Sequence, residues 1–82
     1  MYHLMLKEHK FVDGTHVMLR TYKGEWRVYV NLYKADPAEP TVGIASIGYG
    51  AYETEEEARK AYAALNSYAE VEAFYSHVDY TF

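Results

Sequence analysis

The sequence contains no cysteine, only two prolines and no long apolar run. The lack of cysteine excludes disulfides, cysteine-ligated zinc and a thiol nucleophile, and it agrees with a reducing compartment. Because the first residues, MYHLMLKEHKFVDG, hold no apolar stretch of sufficient length, we predict neither a signal peptide nor a membrane span. We therefore expect a cytoplasmic protein whose 82 residues form one domain, 1–82.

Charge is divided unevenly along the chain. Residues 1–34 carry a net charge of +3 and residues 35–82 a net charge of −7, which together give the overall −4. Tyrosine is the outlier in composition, at ten positions. It suits β-strands and cores, and it is also common at binding surfaces because it loses little entropy when it becomes ordered. The molecule should therefore have two electrically different ends and an aromatic surface.

Turn signals divide the first half of the chain into strands. Asp13-Gly14 and Lys23-Gly24 each separate alternating apolar runs, which predicts a meander of strands over 3–12, 15–22 and 25–34. A loop with both prolines follows at 35–40, and a fourth strand is predicted over 41–50. Glycines in that strand indicate a bulge or close packing.

The second half contains the clearest helix. Thr54 and Glu57 form a capping box, and Ala58, Tyr62 and Leu65 lie on one helical stripe that should end near residue 66. The tail is ambiguous, since Ser67 could begin a short helix, but its alternation favours a strand over 73–81. We predict an α+β fold, an antiparallel β-meander of four or five strands with one principal α-helix packed on one face.

Two-residue turns fix which residues face the helix. The inner face should then hold Leu4, Leu6, Val12, Val17, Leu19, Trp26, Val28, Val30 and Leu32. The opposite face, with Met5 and Asn31 also on it, is the predicted partner-binding surface, formed by Lys7, His9, Phe11, His16, Met18, Arg20, Tyr22, Arg27, Tyr29 and Tyr33. Lys7, Arg20 and Arg27 should form one row of cations, with no Asp or Glu on the strand positions of that face. The alternative is a solvated face, with the cations spread into water or stacked on Tyr29 and Tyr22.

No catalytic pattern is visible. Of the four histidines, His9 and His16 should share the outer face, but no third ligand has suitable spacing for a metal. Glu55, Glu56 and Glu57 suit the first turn of a helix rather than acid–base work. We therefore predict no enzyme, no cofactor and no metal.

Two segments resemble a known DNA-binding module. GEWRVYV over 24–30 and GAYETEEEARKAY over 50–62 are similar to the strand and the strand-to-helix signature of AP2-type and integrase arm-type domains. The resemblance covers about 24–66 and implies a three-stranded sheet backed by one helix, with DNA on the outer face. Arg20, Arg27 and Tyr29 would then contact DNA. The chain departs from those families in having few cations on that face.

In size, acidity and tyrosine content the chain also resembles small phage anti-defence proteins, including some anti-CRISPR proteins. That resemblance implies a non-enzymatic inhibitor that binds and blocks a host defence protein in the host cytoplasm. An acidic patch of Glu53, Glu55, Glu56 and Glu57 could imitate nucleic acid. A protein partner is thus the first prediction and a nucleic-acid partner the alternative, with no membrane partner. A homodimer through an edge strand or the tyrosine face stays open.

Overall fold

Five antiparallel strands and two helices make up the fold. The computed structural model describes residues 5–11, 14–35, 38–39, 43–78 and 80–81. The elements in chain order are β1 (Met5–Lys10), β2 (His16–Tyr22), β3 (Glu25–Ala35), β4 (Gly43–Tyr52), α1 (Glu55–Ala63), α2 (Tyr68–Tyr75) and β5 (Tyr80–Thr81). The strands form one sheet in sequential order. The predicted α+β meander is therefore confirmed.

The turn between β2 and β3 has the predicted form. Lys23 and Gly24 both have positive φ, 49° and 84°, as a two-residue turn of the mirror-image type requires. Tyr22 consequently pairs with Glu25, and Arg20 pairs with Arg27. The predicted register between these two strands is confirmed.

The turn between β1 and β2 is one residue longer than predicted. The amide of Gly14 donates to the carbonyl of Phe11 at 3.0 Å, and the amide of Phe11 donates to the carbonyl of Thr15 at 2.8 Å. With Gly14 at φ 95°, this is a three-residue loop that ends in a left-handed glycine. Lys7 therefore pairs with Leu19 instead of Arg20.

A one-residue change of register exchanges the two faces of a strand. Lys7, His9 and Phe11 consequently lie on the side of the sheet that the helices cover, and their predicted place on the outer face was wrong. Glu8 takes an outer position opposite Met18. Leu6 keeps its contact with the core because the strand is irregular between Met5 and Lys7. The predicted core residues Leu4 and Val12 lie outside the described residues.

Helix α1 begins as its capping box predicts. The Thr54 side chain accepts a hydrogen bond from the Glu57 amide at 3.2 Å, and its hydroxyl donates to the Glu57 carboxylate at 2.9 Å. The helix ends at Ala63, close to the predicted end at residue 66.

The tail folds as a second helix, so the preferred strand over 73–81 was wrong. Ser67 caps α2 by accepting from the Glu70 amide at 3.3 Å, and Val71 is fully buried against the sheet. The cap and the helical spacing of Val71 and Phe74 outweigh the two-residue alternation of the tail. Within the described part of the tail, only Tyr80 and Thr81 form a strand.

The core lies between the sheet and the helices. Its buried members are Val17, Leu19, Val28, Val30 and Leu32 from the sheet and Ala58, Leu65 and Val71 from the helical half. Trp26 is only partly buried and packs against this cluster. The inner face predicted for β2 and β3 is thus confirmed.

Close packing, rather than a bulge, explains the glycines of β4. The β3–β4 pairing runs without interruption from Trp26↔Tyr52 to Ala35↔Gly43. A Cβ at Gly48 would lie 2.8 Å from the carbonyl oxygen of Tyr80, so β5 can approach β4 only over a glycine. No helix among the described residues has the length and apolar content needed to cross a membrane.

Candidate partner-binding face

The side of the sheet away from the helices carries a network of tyrosines and arginines. We call it the outer face, and its larger described side chains are Glu8, Lys10, His16, Met18, Arg20, Tyr22, Glu25, Arg27, Tyr29, Asn31, Tyr33, Ile47, Tyr49 and Tyr80. Cross-strand pairing arranges them in rows. One row runs from Glu8 through Met18, Tyr29 and Tyr49 to Tyr80.

Arg27 stands at the centre of this network. Its guanidinium carbon lies 4.2 Å from the ring centroids of both Tyr22 and Tyr49. It donates to the Tyr29 hydroxyl at 2.9 Å and forms an ion pair with Glu25 at 3.4 Å. Burial opposes its charge, but the hydrogen bonds to Tyr29 and Glu25 outweigh burial and raise the pKa of Arg27 above its ordinary value. Arg27 is thus enclosed and neutralised within the chain.

Three tyrosine rings continue the network toward β5. The centroids of Tyr29 and Tyr49 are 5.0 Å apart, and Tyr49 stacks on Tyr80 at 4.9 Å. Tyr29 and Tyr49 are 9% and 8% exposed, whereas Tyr80 is 55% exposed. Burial raises the pKa of Tyr49, although the charge of Arg27 works in the opposite direction. The buried rings of Tyr29 and Tyr49 therefore form a platform on the outer face, and Tyr80 is the exposed ring that a partner can reach.

Arg20 lies beside this platform. Its guanidinium carbon is 5.2 Å from the Tyr29 centroid, and its strand position is directly opposite that of Arg27. Two like charges on paired positions repel, and the ion pair of Arg27 with Glu25 reduces this cost. The Nε atom of Arg20 is buried and has no hydrogen-bond partner among the described residues.

Carboxylates lie on the outer face, contrary to the prediction. Glu8 accepts from His16 Nε2 at 2.8 Å, and Glu25 pairs with Arg27. Glu8 was missed because the predicted register placed it inside. Glu25 was missed although it begins the predicted strand over 25–34 and the predicted register already pairs it with Tyr22 on this face.

Lys7, His9 and Phe11 contribute to the other side of the sheet. His9 Nε2 lies 3.1 Å from the Leu65 carbonyl, which can only accept, so Nε2 carries a proton. In the neutral ring Nδ1 then accepts from the Tyr62 hydroxyl at 2.8 Å. The rings of Phe11 and Tyr62 each meet the His9 ring edge to face. Burial, with a smaller effect of the Glu8 charge, raises the pKa of Tyr62.

The remaining predicted residues keep their positions. His16, Met18, Arg20, Tyr22, Arg27, Tyr29 and Tyr33 all lie on the outer face, as predicted. His9 and His16, however, lie on opposite faces. No group of three metal-ligating side chains occurs among the described residues.

The acidic patch is exposed at the start of α1. Glu53, Glu55, Glu56 and Glu57 are all exposed. Two of them have local roles, because Glu57 completes the helix cap and Glu55 pairs with Arg59 one turn later. Negative side chains are favourable at the positive N-terminal end of a helix, so the helix alone accounts for their position.

Comparisons with family models, with curated proteins and with solved structures gave no match for this chain. The outer face is therefore interpreted from its own chemistry.

Proposed function

We propose that the chain is a non-enzymatic binding protein whose outer face covers a surface of a protein partner. The observation that carries this proposal is the ordered network around Arg27, in which neighbouring side chains hold Tyr22, Tyr29 and Tyr49 in place. Aromatic and arginine side chains dominate protein interfaces, and a surface ordered before binding loses less entropy on association. No described helix covers this face.

The contacts themselves would be made by the more accessible side chains. Tyr80 is 55% exposed and Ile47 is 37% exposed, and both adjoin the tyrosine platform. Arg20 and Met18 are half-buried on the same face. Tyr29 and Tyr49 would support these residues and contact the partner little.

Within this class, we propose an inhibitor carried by a phage or another mobile element, which blocks a host defence protein. An acidic second half and high tyrosine content support it. Such a protein needs no catalysis, since covering the partner's working surface is sufficient. The acidic patch is a second surface that such a partner could contact in place of nucleic acid.

A functional assay tests this proposal. Purified chain is added to defence nucleases of candidate hosts, and we expect stoichiometric loss of cleavage for one of them. Tyr80→Ala should weaken that inhibition at least tenfold, whereas Ala69→Lys on the exposed side of α2 should leave it unchanged. If Tyr80→Ala inhibits as strongly as the unchanged chain, the outer face is not the binding surface. If the chain lowers the activity of none of the nucleases, the inhibitor proposal is contradicted.

The nucleic-acid alternative has less support from the outer face. Of the three predicted aligned cations, Lys7 lies on the opposite side and Arg27 is paired with Glu25. Glu8 adds a carboxylate near the same surface. Phosphate contacts supply most of the affinity for nucleic acid, so we expect only weak binding from this face.

A further inference from the structure

The two edges of the sheet are protected to different degrees. β1 carries exposed Lys7, Glu8 and Lys10 and is irregular between Met5 and Lys7. Charges and bulges are the usual means by which proteins prevent an edge strand from pairing with another chain. The β1 edge therefore disfavours strand addition.

The β4 edge has none of these features over residues 43–47. The segment GIASI contains no charged residue and no proline, and its pairing with β3 is regular. On the other side, β5 pairs only with Gly48 and Tyr49. Among the described residues, nothing pairs with the outer edge of the five residues before Gly48.

Exposed apolar side chains occur beside the same edge. Ile47 and Tyr80 are the exposed large hydrophobic residues of the described chain. Ile47 lies on β4 itself, and Tyr80 lies on β5 opposite Tyr49, two positions further along β4. Backbone without a partner among the described residues and exposed apolar side chains thus coincide, which is the combination expected of an interface.

We propose that two copies of this chain pair antiparallel through residues 43–47 of β4, about a twofold axis at Ala45. In this register Gly43 lies opposite Ile47 of the second copy. β4 begins at Gly43 and its described pairing with β5 begins at Gly48, so all five residues of the segment lack a described partner on that edge.

A second copy fits this edge for electrostatic and steric reasons. Each chain has a net charge of −4, and an uncharged segment lets like chains meet without placing equal charges on paired strands. The ring of Tyr33 fills the place where a Cβ of Gly43 would stand. Ile47 of each copy would therefore pack near Tyr33 of the other.

Pairing of this kind joins the two sheets into one of ten strands. The twofold axis of an antiparallel strand pair is perpendicular to the sheet, so both outer faces would lie on the same side. The dimer would then present two outer faces. A partner that engages both of them at once would be bound with higher avidity, although each face makes the same contacts as before. The pairing itself does not depend on the proposed function.

Sedimentation velocity tests the pairing. Five residues from each chain make a small interface, so we expect weak association that requires a series from about 10 µM to about 1 mM. The mean mass should rise with concentration from 9.5 kDa toward twice that value. Ala45→Lys and Ile47→Lys, both at exposed positions, should each abolish the rise. Ala69→Lys, which adds the same charge on α2, should retain it.

A mixed sample of isotope-labelled and unlabelled chains locates the interface. Contacts between the two Ala45 residues and between Ile47 and Tyr33 should appear in a filtered nuclear Overhauser experiment. A chain that stays at 9.5 kDa throughout the series would overturn the proposal. So would a dimer that both lysine variants, folded by circular dichroism, still form.

Discussion

The guanidinium of Arg27 lies over the ring of Tyr49, 4.2 Å from its centroid. The sequence placed Arg27 on the predicted partner-binding surface, and this contact gives Arg27 a role within the fold instead. Tyr22, Tyr29 and Glu25 engage the same guanidinium. Arg27 therefore organises the outer face from within, and its removal should affect folding as well as binding.

Arg27→Ala should lower the free energy of unfolding by about 2 kcal/mol, because a desolvated cation–π contact and a charged hydrogen bond are lost together. Urea denaturation followed by circular dichroism measures the change. Lys23→Ala is the matched control, since Lys23 also lies over Tyr22, at 5.4 Å, but is exposed. We expect less than about 0.5 kcal/mol for that variant. Similar losses for both variants would show that Arg27 is not enclosed.

The contact between His9 and Tyr62 provides a second stability test. Tyr62→Phe removes the hydroxyl that lies 2.8 Å from His9 Nδ1, and His9→Ala removes the ring. A double-mutant cycle should give a coupling free energy of about 1 kcal/mol at neutral pH. A coupling near zero would mean that the two side chains do not meet, and the observed register of β1 would then be wrong.

The register of β1 also shows where the sequence was insufficient. At Lys23-Gly24 the glycine closes a two-residue turn, in which both residues have positive φ. Gly14 can close either a two-residue or a three-residue loop, and these differ by one position in the pairing. One position is enough to move Lys7, His9 and Phe11 to the opposite face.

Other residues of the outer face could not be placed from the sequence. Ile47, Tyr49 and Tyr80 reach it through the β3–β4 and β4–β5 pairings. Long connections do not fix register, unlike tight turns. The tail offered two patterns of similar strength, and the cap of α2 together with the burial of Val71 on that helix decided between them. The inner face of β2 and β3 and the cap of α1 were predictable because short-range signals fix both.

Tyrosine ionisation should make the fold sensitive to alkali. Burial raises the pKa of Tyr49 and of Tyr62 above the ordinary value of 10.0. The folded state therefore holds these protons more tightly than the unfolded state. Their contribution to stability is complete below pH 10 and is lost as the pH rises through the folded pKa.

Urea midpoints at pH 8, 9 and 10.5 measure this loss, and absorbance at 295 nm follows ionisation directly. Tyr49→Phe should remove the part of the absorbance change that occurs at the highest pH. It should also make the decline in stability above about pH 10 less steep. Tyr80→Phe is the control, since its ring is largely exposed. An unchanged titration curve for Tyr49→Phe would contradict the buried position of Tyr49.

Gly48→Ala should displace β5 from the sheet. The added methyl would lie 2.8 Å from the backbone oxygen of Tyr80, which cannot move aside as a flexible side chain can. We expect a cost of about 1–3 kcal/mol and faster hydrogen exchange at Thr81. Gly50→Ala is the comparison, because its nearest neighbours are side-chain atoms of Phe74 and Tyr52 at 3.2 and 3.3 Å. Equal exchange at Thr81 in both variants would show that β5 does not rest on Gly48.

Duplex DNA should bind only weakly to the free chain. On the outer face Arg27 is neutralised by Glu25 and His16 contacts Glu8, which leaves Arg20 near the centre and exposed Lys10 on β1 as cations able to meet a phosphate. Each phosphate contact contributes about one to the slope of log affinity against log salt, so we expect a slope of at most about two. Fluorescence anisotropy of a labelled 20-base-pair duplex, titrated from about 20 to about 150 mM salt, gives this slope.

Arg20→Ala should weaken this binding, whereas Lys7→Ala should change it little, because Lys7 lies on the helix-covered side. The sequence-based register predicts the opposite for Lys7, with three aligned cations and a slope near three. A slope of three that falls by one in each of the Lys7, Arg20 and Arg27 alanine variants would restore that register and favour the nucleic-acid function. A slope of about two or less that Lys7→Ala leaves unchanged would instead support a face suited to a protein partner, where the cation–tyrosine network contributes more than net charge.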